Sequence, residues 1–219
     1  MEPAAQRTDR DRILNILFFL TLLIFIVIAV FVHLYPENVL DAYIQEQVSP
    51  LAQPPLLDFW IRISFFGSFE FLFPAYLIFI ILNVWQRRAR FGLSVAAVAT
   101  GGFLSVQILK QVFQRHRPPT PLIPNFTDYS FPSGHSTSSL IFCAVLTWSL
   151  WHHSVPRSLR ISGMILLIIL AFSVGMSRII LRVHYPTDVS GGFCFGIIWV
   201  IGWCRFIQSK NLLYNKKGI

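Results

Sequence analysis

The chain has 219 residues, of which 54% are hydrophobic and only 13% are charged. A soluble domain usually carries about 25% charged residues, so this composition excludes an ordinary soluble protein and predicts a single integral membrane domain over residues 1–219. The net charge of +8 does not indicate a nucleic-acid-binding protein, because the cations lie in short loops between apolar segments and form no basic stripe.

Six apolar segments are long enough to cross a bilayer as helices, which takes about 20 residues each. In chain order they are residues 13–34, 65–85, 92–112, 133–152, 159–177 and 186–207. We therefore expect an all-α, polytopic membrane protein whose six transmembrane helices form a bundle. The glycine pairs Gly101-Gly102 and Gly191-Gly192 predict close contacts between helices.

The loop between the first two segments, residues 35–64, is the longest one between predicted spans. Its apolar residues Val39, Leu40, Tyr43 and Ile44 recur at helical spacing. A short helix lying at the membrane interface fits this pattern, and an irregular loop with accidental periodicity fits it equally. Polar residues occupy the other face of the possible helix: Glu37, Asn38, Asp41 and Gln45.

Lysine and arginine residues in the loops predict the orientation, because cytoplasmic loops carry an excess of both. Most of them fall on one side of the predicted bundle: Arg7, Arg10, Arg12, Arg87, Arg88, Arg90, Arg157, Arg160, Arg205, Lys210, Lys216 and Lys217. We expect this side to be cytoplasmic, with both termini on it. Three polar clusters then share the outer ends of the last four segments.

The first chemical feature is a set of three cations, Lys110, Arg117 and Arg178, at the outer ends of predicted helices. Charges near a bilayer are costly and usually functional. A phosphoryl group needs donors directed at its oxygens, and the arginine fork suits them. The alternative is an interfacial cation that reaches for water, which we prefer for Arg115 and Arg182 but not for these three.

The second feature is Pro132-Ser133-Gly134-His135, which opens the fourth segment. Serine is a good N-cap, glycine allows a ligand to approach the backbone, and the free N–H groups of a helix start bind anions. A plain capped helix start is the simpler interpretation, and the two are compatible. His135 lies where it could donate a proton to a leaving oxygen.

The third feature is His184 followed four residues later by Asp188 in the first turn of the sixth segment. The carboxylate could accept the proton on one imidazole nitrogen and leave the other nitrogen free to attack phosphorus. The simpler interpretation of Asp188 is a partner for the helix dipole. No His, Cys or acidic residues have metal-ligand spacing, so we expect metal-independent chemistry without a cofactor.

In combination, these features resemble the three-part signature of the type 2 phosphatidic acid phosphatase superfamily. The parts read Lys110-x6-Arg117-Pro118, Pro132-Ser133-Gly134-His135 and Ser177-Arg178-x5-His184-x3-Asp188. The resemblance implies that His184 is a nucleophile that forms a phosphohistidine, that Asp188 orients it, and that His135 protonates the leaving group. It also implies a phosphoryl-binding set: Lys110, Arg117, Ser133, the Gly134 backbone and Arg178.

We therefore expect a membrane phosphatase that hydrolyses a lipid phosphate or diphosphate at the outer leaflet of a bacterial plasma membrane. Candidate substrates are undecaprenyl pyrophosphate, phosphatidic acid and phosphatidylglycerophosphate. Two alternatives remain open: a lipid phosphotransferase that uses the same histidine, and a lipid or phosphate transporter. A transporter would leave the His/Asp pair unexplained, and the sequence has no internal repeat of the kind common in transporters. Oligomeric state is not predicted.

Glu70 lies outside the signature, near the outer end of the second segment and among aromatic residues. An ionised carboxylate at that depth needs a partner. It either pairs with a cation near the site or lines the entrance for the headgroup, or it is a protonated or interfacial glutamate without a role.

Overall fold

The structure, a computed structural model, describes residues 4–124, 127–152 and 154–209, and these ranges contain helices and loops but no strand. The all-α prediction is confirmed. Eight α-helices are described: α1 Ala4–Leu34, α2 Val39–Val48, α3 Leu56–Phe65, α4 Phe69–Trp85, α5 Ala89–Phe113, α6 Gly134–His152, α7 Arg157–Ile180 and α8 Pro186–Ser209. A short 3₁₀ helix, Ser49–Ala52, follows α2.

Four of these helices, α1, α5, α7 and α8, are long and apolar enough to cross a membrane, and α3 with α4 makes a fifth span if that pair, bent by 41°, counts as one. Together with large apolar side chains exposed along α1 and α7, they make this an integral membrane protein. Six spans and cytoplasmic termini stay predictions. Of the cations behind that orientation, Lys210, Lys216 and Lys217 lie outside the described residues.

Helix α6 corresponds to the fourth predicted span but is less apolar than the others, because its first turns carry serine and threonine. These side chains are buried rather than exposed to lipid, as Ser136, Thr137 and Ser139 show. The helix packs against α5, α7 and α8, so it lies inside the bundle. A helix surrounded by protein can carry polar residues that a lipid-facing helix cannot.

The predicted loop over residues 35–64 holds two helices. The periodic segment is helical, as one of our two interpretations expected, and Asn38 caps it by accepting a hydrogen bond from the Asp41 N–H at 2.9 Å. Helix α3 was not predicted. It follows Pro54-Pro55 and is separated from α4 by a short break at Gly67-Ser68, so the second apolar segment begins earlier than expected.

Both glycine pairs lie where helices approach closely, as predicted. A Cβ atom on Gly102 of α5 would lie 2.7 Å from the Ile141 side chain of α6. A Cβ atom on Gly192 of α8 would lie 2.7 Å from the backbone oxygen of Ser133. The second contact cannot relax by a side-chain rotation, because the obstacle is backbone. Gly192 therefore fixes the distance between the start of α6 and α8.

The three polar clusters share one end of the bundle. Lys110 lies in the last turn of α5 and Arg178 in the last turn of α7, while α6 and α8 begin at Gly134 and Pro186. Toward the opposite end, an apolar core packs between α5, α6 and α8: Phe91, Val95, Val98, Ile141, Val145, Trp203 and Ile207. This core packs together the three helices α5, α6 and α8, each of which also contributes to the polar end.

Candidate active site

A cavity of about 520 Å³ has five of the eight predicted site residues at one end, and Ser133, Arg178 and Asp188 are not in its lining. Its polar lining includes Lys110, Arg117, Gly134, His135 and His184. The rest of its wall is largely apolar and comes mainly from α4 and α5: Leu72, Phe73, Leu77, Ala96, Ala99 and Phe103. A larger cavity of about 1140 Å³, at the opposite end of the bundle, has none of the predicted site residues in its lining.

His184 lies in the short connection between α7 and α8 and is 1% exposed. Its Nε2 atom lies 3.2 Å from Nη1 of Arg117, and its Nδ1 atom lies 3.5 Å from Oδ2 of Asp188. Burial and then the charges of Arg117, Lys110 and Arg178 lower the pKa of His184 well below its usual value of 6.5. The imidazole is therefore neutral at pH 7, the form that has a lone pair for attack.

Asp188 is fully buried at the start of α8. Its Oδ1 atom accepts a hydrogen bond from Nη1 of Arg115 at 2.6 Å, and its Oδ2 atom accepts one from the Tyr185 N–H at 2.8 Å. Oδ2 also accepts the hydroxyl of Ser130, whose oxygen lies 3.5 Å from Nδ1 of His184. The carboxylate therefore faces His184 as predicted, but with Ser130 beside both groups.

Ser130 was missed by the sequence analysis. It is buried three residues before Ser133, just outside the Pro132-Ser133-Gly134-His135 motif. Its proximity to that motif was the one available signal, and serine is common in ordinary loops.

Two of the three predicted phosphate-binding cations meet on one carboxylate, that of Asp128. Arg117 donates from Nη2 to Asp128 Oδ1 at 2.7 Å and from Nε to the Asp128 carbonyl at 3.0 Å, while Lys110 pairs with Oδ2. Burial raises the pKa of Asp128, but the Lys110 hydrogen bond and the charges of Lys110 and Arg117 outweigh it and lower the pKa below its usual value. Asp128 is thus an ionised group at the predicted anion site.

Arg178 takes a different position from Lys110 and Arg117. It is 1% exposed, and its Nη1 donates to the hydroxyl of Ser64 at the end of α3. The Arg178 carbonyl accepts the His184 N–H at 3.2 Å, and the Arg178 charge contributes to the lowered pKa of His184. The guanidinium therefore belongs to the same electrostatic site.

The start of α6 has the capped geometry that the motif predicts. The Ser133 hydroxyl accepts from the Ser136 N–H at 3.4 Å, and the Ser133 N–H donates to the Asp188 carbonyl at 3.0 Å. The second bond joins the α6 start to α8.

His135 is packed against the break between α3 and α4, since a Cβ atom on Gly67 would lie 3.2 Å from its Cβ and Cδ2 atoms.

Our interpretation of Arg115 as an interfacial cation was wrong. The side chain is 3% exposed, donates to Asp188 and Asp41, and lies 4.2 Å from the ring centre of Tyr185. Gln114, the residue that follows α5, lies in the left-handed region (φ 46°), and the next side chain is held inside by carboxylates of α2 and α8. Arg182, which we also interpreted as an interfacial cation, is half-buried.

Glu70 lies in the first turn of α4 and is exposed. A carboxylate there complements the positive end of the helix dipole. The structure thus favours the interfacial interpretation over a pairing inside the site.

The donor set around the cavity is cationic. Among the described residues, no group of three or more His, Cys, Asp or Glu side chains could hold a metal ion. Two histidines, three cations and a helix start are instead the groups that bind a phosphate and transfer a phosphoryl group from one oxygen to another.

Comparisons with known proteins agree with this chemistry. A family model described as the PAP2 superfamily matches residues 89–212. Phosphatidylglycerophosphatase B of Bacillus subtilis is 30% identical over 178 residues, which cover 80% of this chain and 87% of that protein. An undecaprenyl-diphosphatase of Sulfolobus acidocaldarius is 29% identical over 137 residues, 59% of each chain.

A solved structure has the same fold. It is the crystal structure of the transmembrane PAP2 type phosphatidylglycerolphosphate phosphatase from Bacillus subtilis, with a TM-score of 0.81 and 26% identity. The match covers 91% of this chain and 98% of that one, so it includes the helices before the signature as well as the signature itself.

Proposed function

This chain belongs to the PAP2 superfamily, and from that premise we propose that it hydrolyses a lipid phosphate or diphosphate through a phosphohistidine on His184. The two relatives described above are phosphatases by name, and the chain is accordingly a phosphoric ester hydrolase of the membrane. The proposal extends this assignment to a mechanism, a class of substrate and a side of the membrane.

The observation that carries the proposal is the cavity that joins a cationic end to an apolar wall. Lys110 and Arg117 provide charge for a phosphoryl group, and Leu72, Phe73 and Phe103 provide a surface for hydrocarbon. A soluble phosphate ester would leave the apolar part of the cavity without a contact, and a neutral lipid would leave the cations without an anion to bind. A lipid phosphate uses both.

The first chemical step forms one bond and breaks one. A ring nitrogen of neutral His184 attacks phosphorus, the bond from phosphorus to the leaving oxygen breaks, and His135 in its protonated form gives a proton to that oxygen and becomes neutral. Asp188 stabilises the positive charge that develops on the His184 ring. For an ester the leaving group is the lipid alcohol, and for a diphosphate it is the lipid monophosphate.

The second step reverses the roles. Water attacks the phosphohistidine, His135 accepts the proton of that water, and the N–P bond breaks to release inorganic phosphate and neutral His184. Lys110, Arg117, Arg178, Ser133 and the Gly134 N–H supply donors for the phosphoryl oxygens in both steps. The two histidines account for every proton that is transferred in the two steps, without a metal ion or cofactor. We therefore propose that no metal ion or cofactor takes part.

Binding of the phosphoryl group also requires a change at Asp128. Its carboxylate pairs with both Lys110 and Arg117, the cations proposed to hold the substrate. A dianionic phosphate beside an ionised carboxylate would be repelled. We propose that the side chain, which is 39% exposed, moves away when substrate binds.

The substrate enters from the outer leaflet in this proposal, since the site lies at the end of the bundle opposite the predicted cytoplasmic cations. Among the three candidate lipids, phosphatidylglycerophosphate comes first, because the relative that covers 80% of this chain and the solved structure that covers 91% of it both carry that activity in their names. Undecaprenyl pyrophosphate and phosphatidic acid follow.

The test is phosphate release from each of these three lipids by detergent-purified protein, with His184→Asn as the control. The proposal expects inorganic phosphate from at least one lipid and none above background from the control. Transfer of phosphate to a second lipid, detected as a new lipid product in place of inorganic phosphate, would instead identify a phosphotransferase. Equal turnover by the His184→Asn variant would contradict the phosphohistidine route.

A further inference from the structure

Asp41 is a fully buried carboxylate on α2, far outside the segment that carries the signature. Its Oδ1 atom accepts the Thr187 N–H at 2.9 Å, and its Oδ2 atom accepts the Thr187 hydroxyl and the Asn38 amide, both at 2.7 Å. Oδ2 also accepts Nη2 of Arg115 at 2.7 Å. A buried charge with this many donors is held in one position.

Arg115 connects this carboxylate to the proposed catalytic one. Its Nη2 donates to Asp41, its Nη1 donates to Asp188 at 2.6 Å, and its Nε and Nη2 both donate to the Pro36 carbonyl. The planar guanidinium has a fixed geometry, so it sets the relative positions of the two carboxylates. A lysine ammonium has no such fork and could not hold both in the same way.

The polar face of α2 is therefore turned toward the site. Besides Asp41, Gln45 on the same face donates from Nε2 to the His184 carbonyl at 3.3 Å. Residues on the other face, Val39 and Tyr43, are exposed. The helix thus contacts the backbone of His184 directly and the side chain of Asp188 through Arg115.

We propose that Asp41 and Arg115 form a positioning pair that holds the Asp188 carboxylate in place beside His184. The inference rests on the proposed function, in which His184 attacks phosphorus. The pair touches neither substrate nor the reacting atoms. Without it, Asp188 would keep the Tyr185 N–H and the Ser130 hydroxyl on its Oδ2 atom but would lose the Arg115 donor that fixes its Oδ1 atom, so the carboxylate would be held less firmly beside the imidazole.

The experiment compares kcat and KM for Asp41→Asn, for Arg115→Lys and for Glu46→Gln. Glu46→Gln is the matched control, because it makes the same change of charge at an exposed position of the same helix. Misplacement of a catalytic group by about 1 Å lowers turnover by about 10²-fold, so we expect a loss of that order in kcat for the first two variants, with KM changed less than about twofold.

The amount of folded protein is measured for each variant by gel filtration in detergent and by thermal unfolding. Since Arg115→Lys keeps the positive charge between the two carboxylates, it provides the test if Asp41→Asn does not fold. Wild-type kcat in either folded variant overturns the proposal. A rise in KM with kcat unchanged also overturns it, because that result assigns the pair to substrate binding.

The double variant Asp41→Asn/Arg115→Lys shows whether the two residues act as one unit. A shared function predicts a loss in kcat no greater than the larger single loss. A loss in kcat equal to the product of the two single losses would mean that the residues act independently, and it would overturn the proposal that they act as a pair. His184→Asn separates this proposal from the proposed function: if that variant keeps full activity, the phosphohistidine mechanism fails, whatever Asp41→Asn does.

Discussion

Oδ2 of Asp188 lies 3.5 Å from Nδ1 of His184, which is longer than an ordinary hydrogen bond. The same carboxylate oxygen accepts the hydroxyl of Ser130, and that hydroxyl oxygen is also 3.5 Å from Nδ1. The three groups form a compact triangle in which a small movement would bring the carboxylate or the serine onto the imidazole. Catalytic hydrogen bonds often tighten in this way only when substrate binds.

Removal of the Ser130 hydroxyl should lower turnover. A hydrogen bond to a charged group contributes about 1.5–3 kcal/mol, so Ser130→Ala should reduce kcat by at least about tenfold if that stabilisation reaches the transition state. Ser94→Ala is the control, since Ser94 is a buried serine at the far end of the bundle. Unchanged or faster turnover would mean that Ser130 only fills the space between Asp188 and His184.

The two histidines should behave differently when each is replaced. His184→Asn should reduce turnover to near background, because it removes the nucleophile, whereas His135→Ala should cost on the order of 10²–10⁴ in kcat, the usual range for a general acid. A leaving group that needs no protonation, such as a nitrophenolate, should partly rescue the His135 variant alone.

His152→Ala controls for this pair of variants, because His152 is exposed at the other end of α6. Rescue of the His184 variant by the nitrophenyl substrate would reverse the roles that we propose for the two histidines.

Asp128→Asn should strengthen inhibition by vanadate. Vanadate takes the trigonal bipyramidal shape of a phosphoryl transition state, and the variant removes the carboxylate that competes for Lys110 and Arg117. We expect a several-fold lower inhibition constant for Asp128→Asn and a higher one for Arg117→Lys, whose fork is lost.

Asp58→Asn makes the same change at an exposed site on α3 and should leave vanadate inhibition unchanged. Weaker inhibition of the Asp128→Asn variant would show that this carboxylate supports the anion site and does not compete for it. Insensitivity of the wild-type protein to millimolar vanadate would count against the phosphohistidine route.

The His184 imidazole should remain neutral below pH 6.5. Burial and three neighbouring cations lower its pKa well below 6.5, so the folded protein takes up this proton at a lower pH than the unfolded chain. The unfolded chain binds more protons in that interval, and the contribution of His184 to stability therefore falls as the pH drops from about 6.5 toward the pKa of the folded state. Nitrogen chemical shifts of labelled histidine, assigned with His184→Asn, test this directly; a midpoint at or above 6.5 would contradict it.

Excess chelator should leave the activity intact. The described residues contain no group of three or more His, Cys, Asp or Glu side chains placed to bind a metal, and both proposed steps balance through the histidines and cations. Phosphate release is measured before and after dialysis against EDTA. A complete loss that only Mg²⁺ or Zn²⁺ restores would require a different mechanism.

The sequence by itself determined the helical class and the position of the main helices. All six predicted segments overlap helices, because an apolar segment of about 20 residues is typical of a helix that satisfies its backbone within itself. That all six cross the membrane stays a prediction. It also determined that Lys110, Gly134, Arg178 and Asp188 share one end of the bundle. Alternating up and down helices leave no other arrangement once the spacing between motifs is known.

Only the tertiary structure decided which polar residues meet. Arg115 and Arg117 are cations two residues apart in one loop, yet Arg115 is buried between Asp41 and Asp188 while Arg117 reaches Asp128 and His184. Local sequence does not distinguish them, because the difference comes from the turn at Gln114 and from α2 packing over the site. Loop paths depend on contacts between residues distant in sequence, and neither hydrophobic periodicity nor a short motif contains that information.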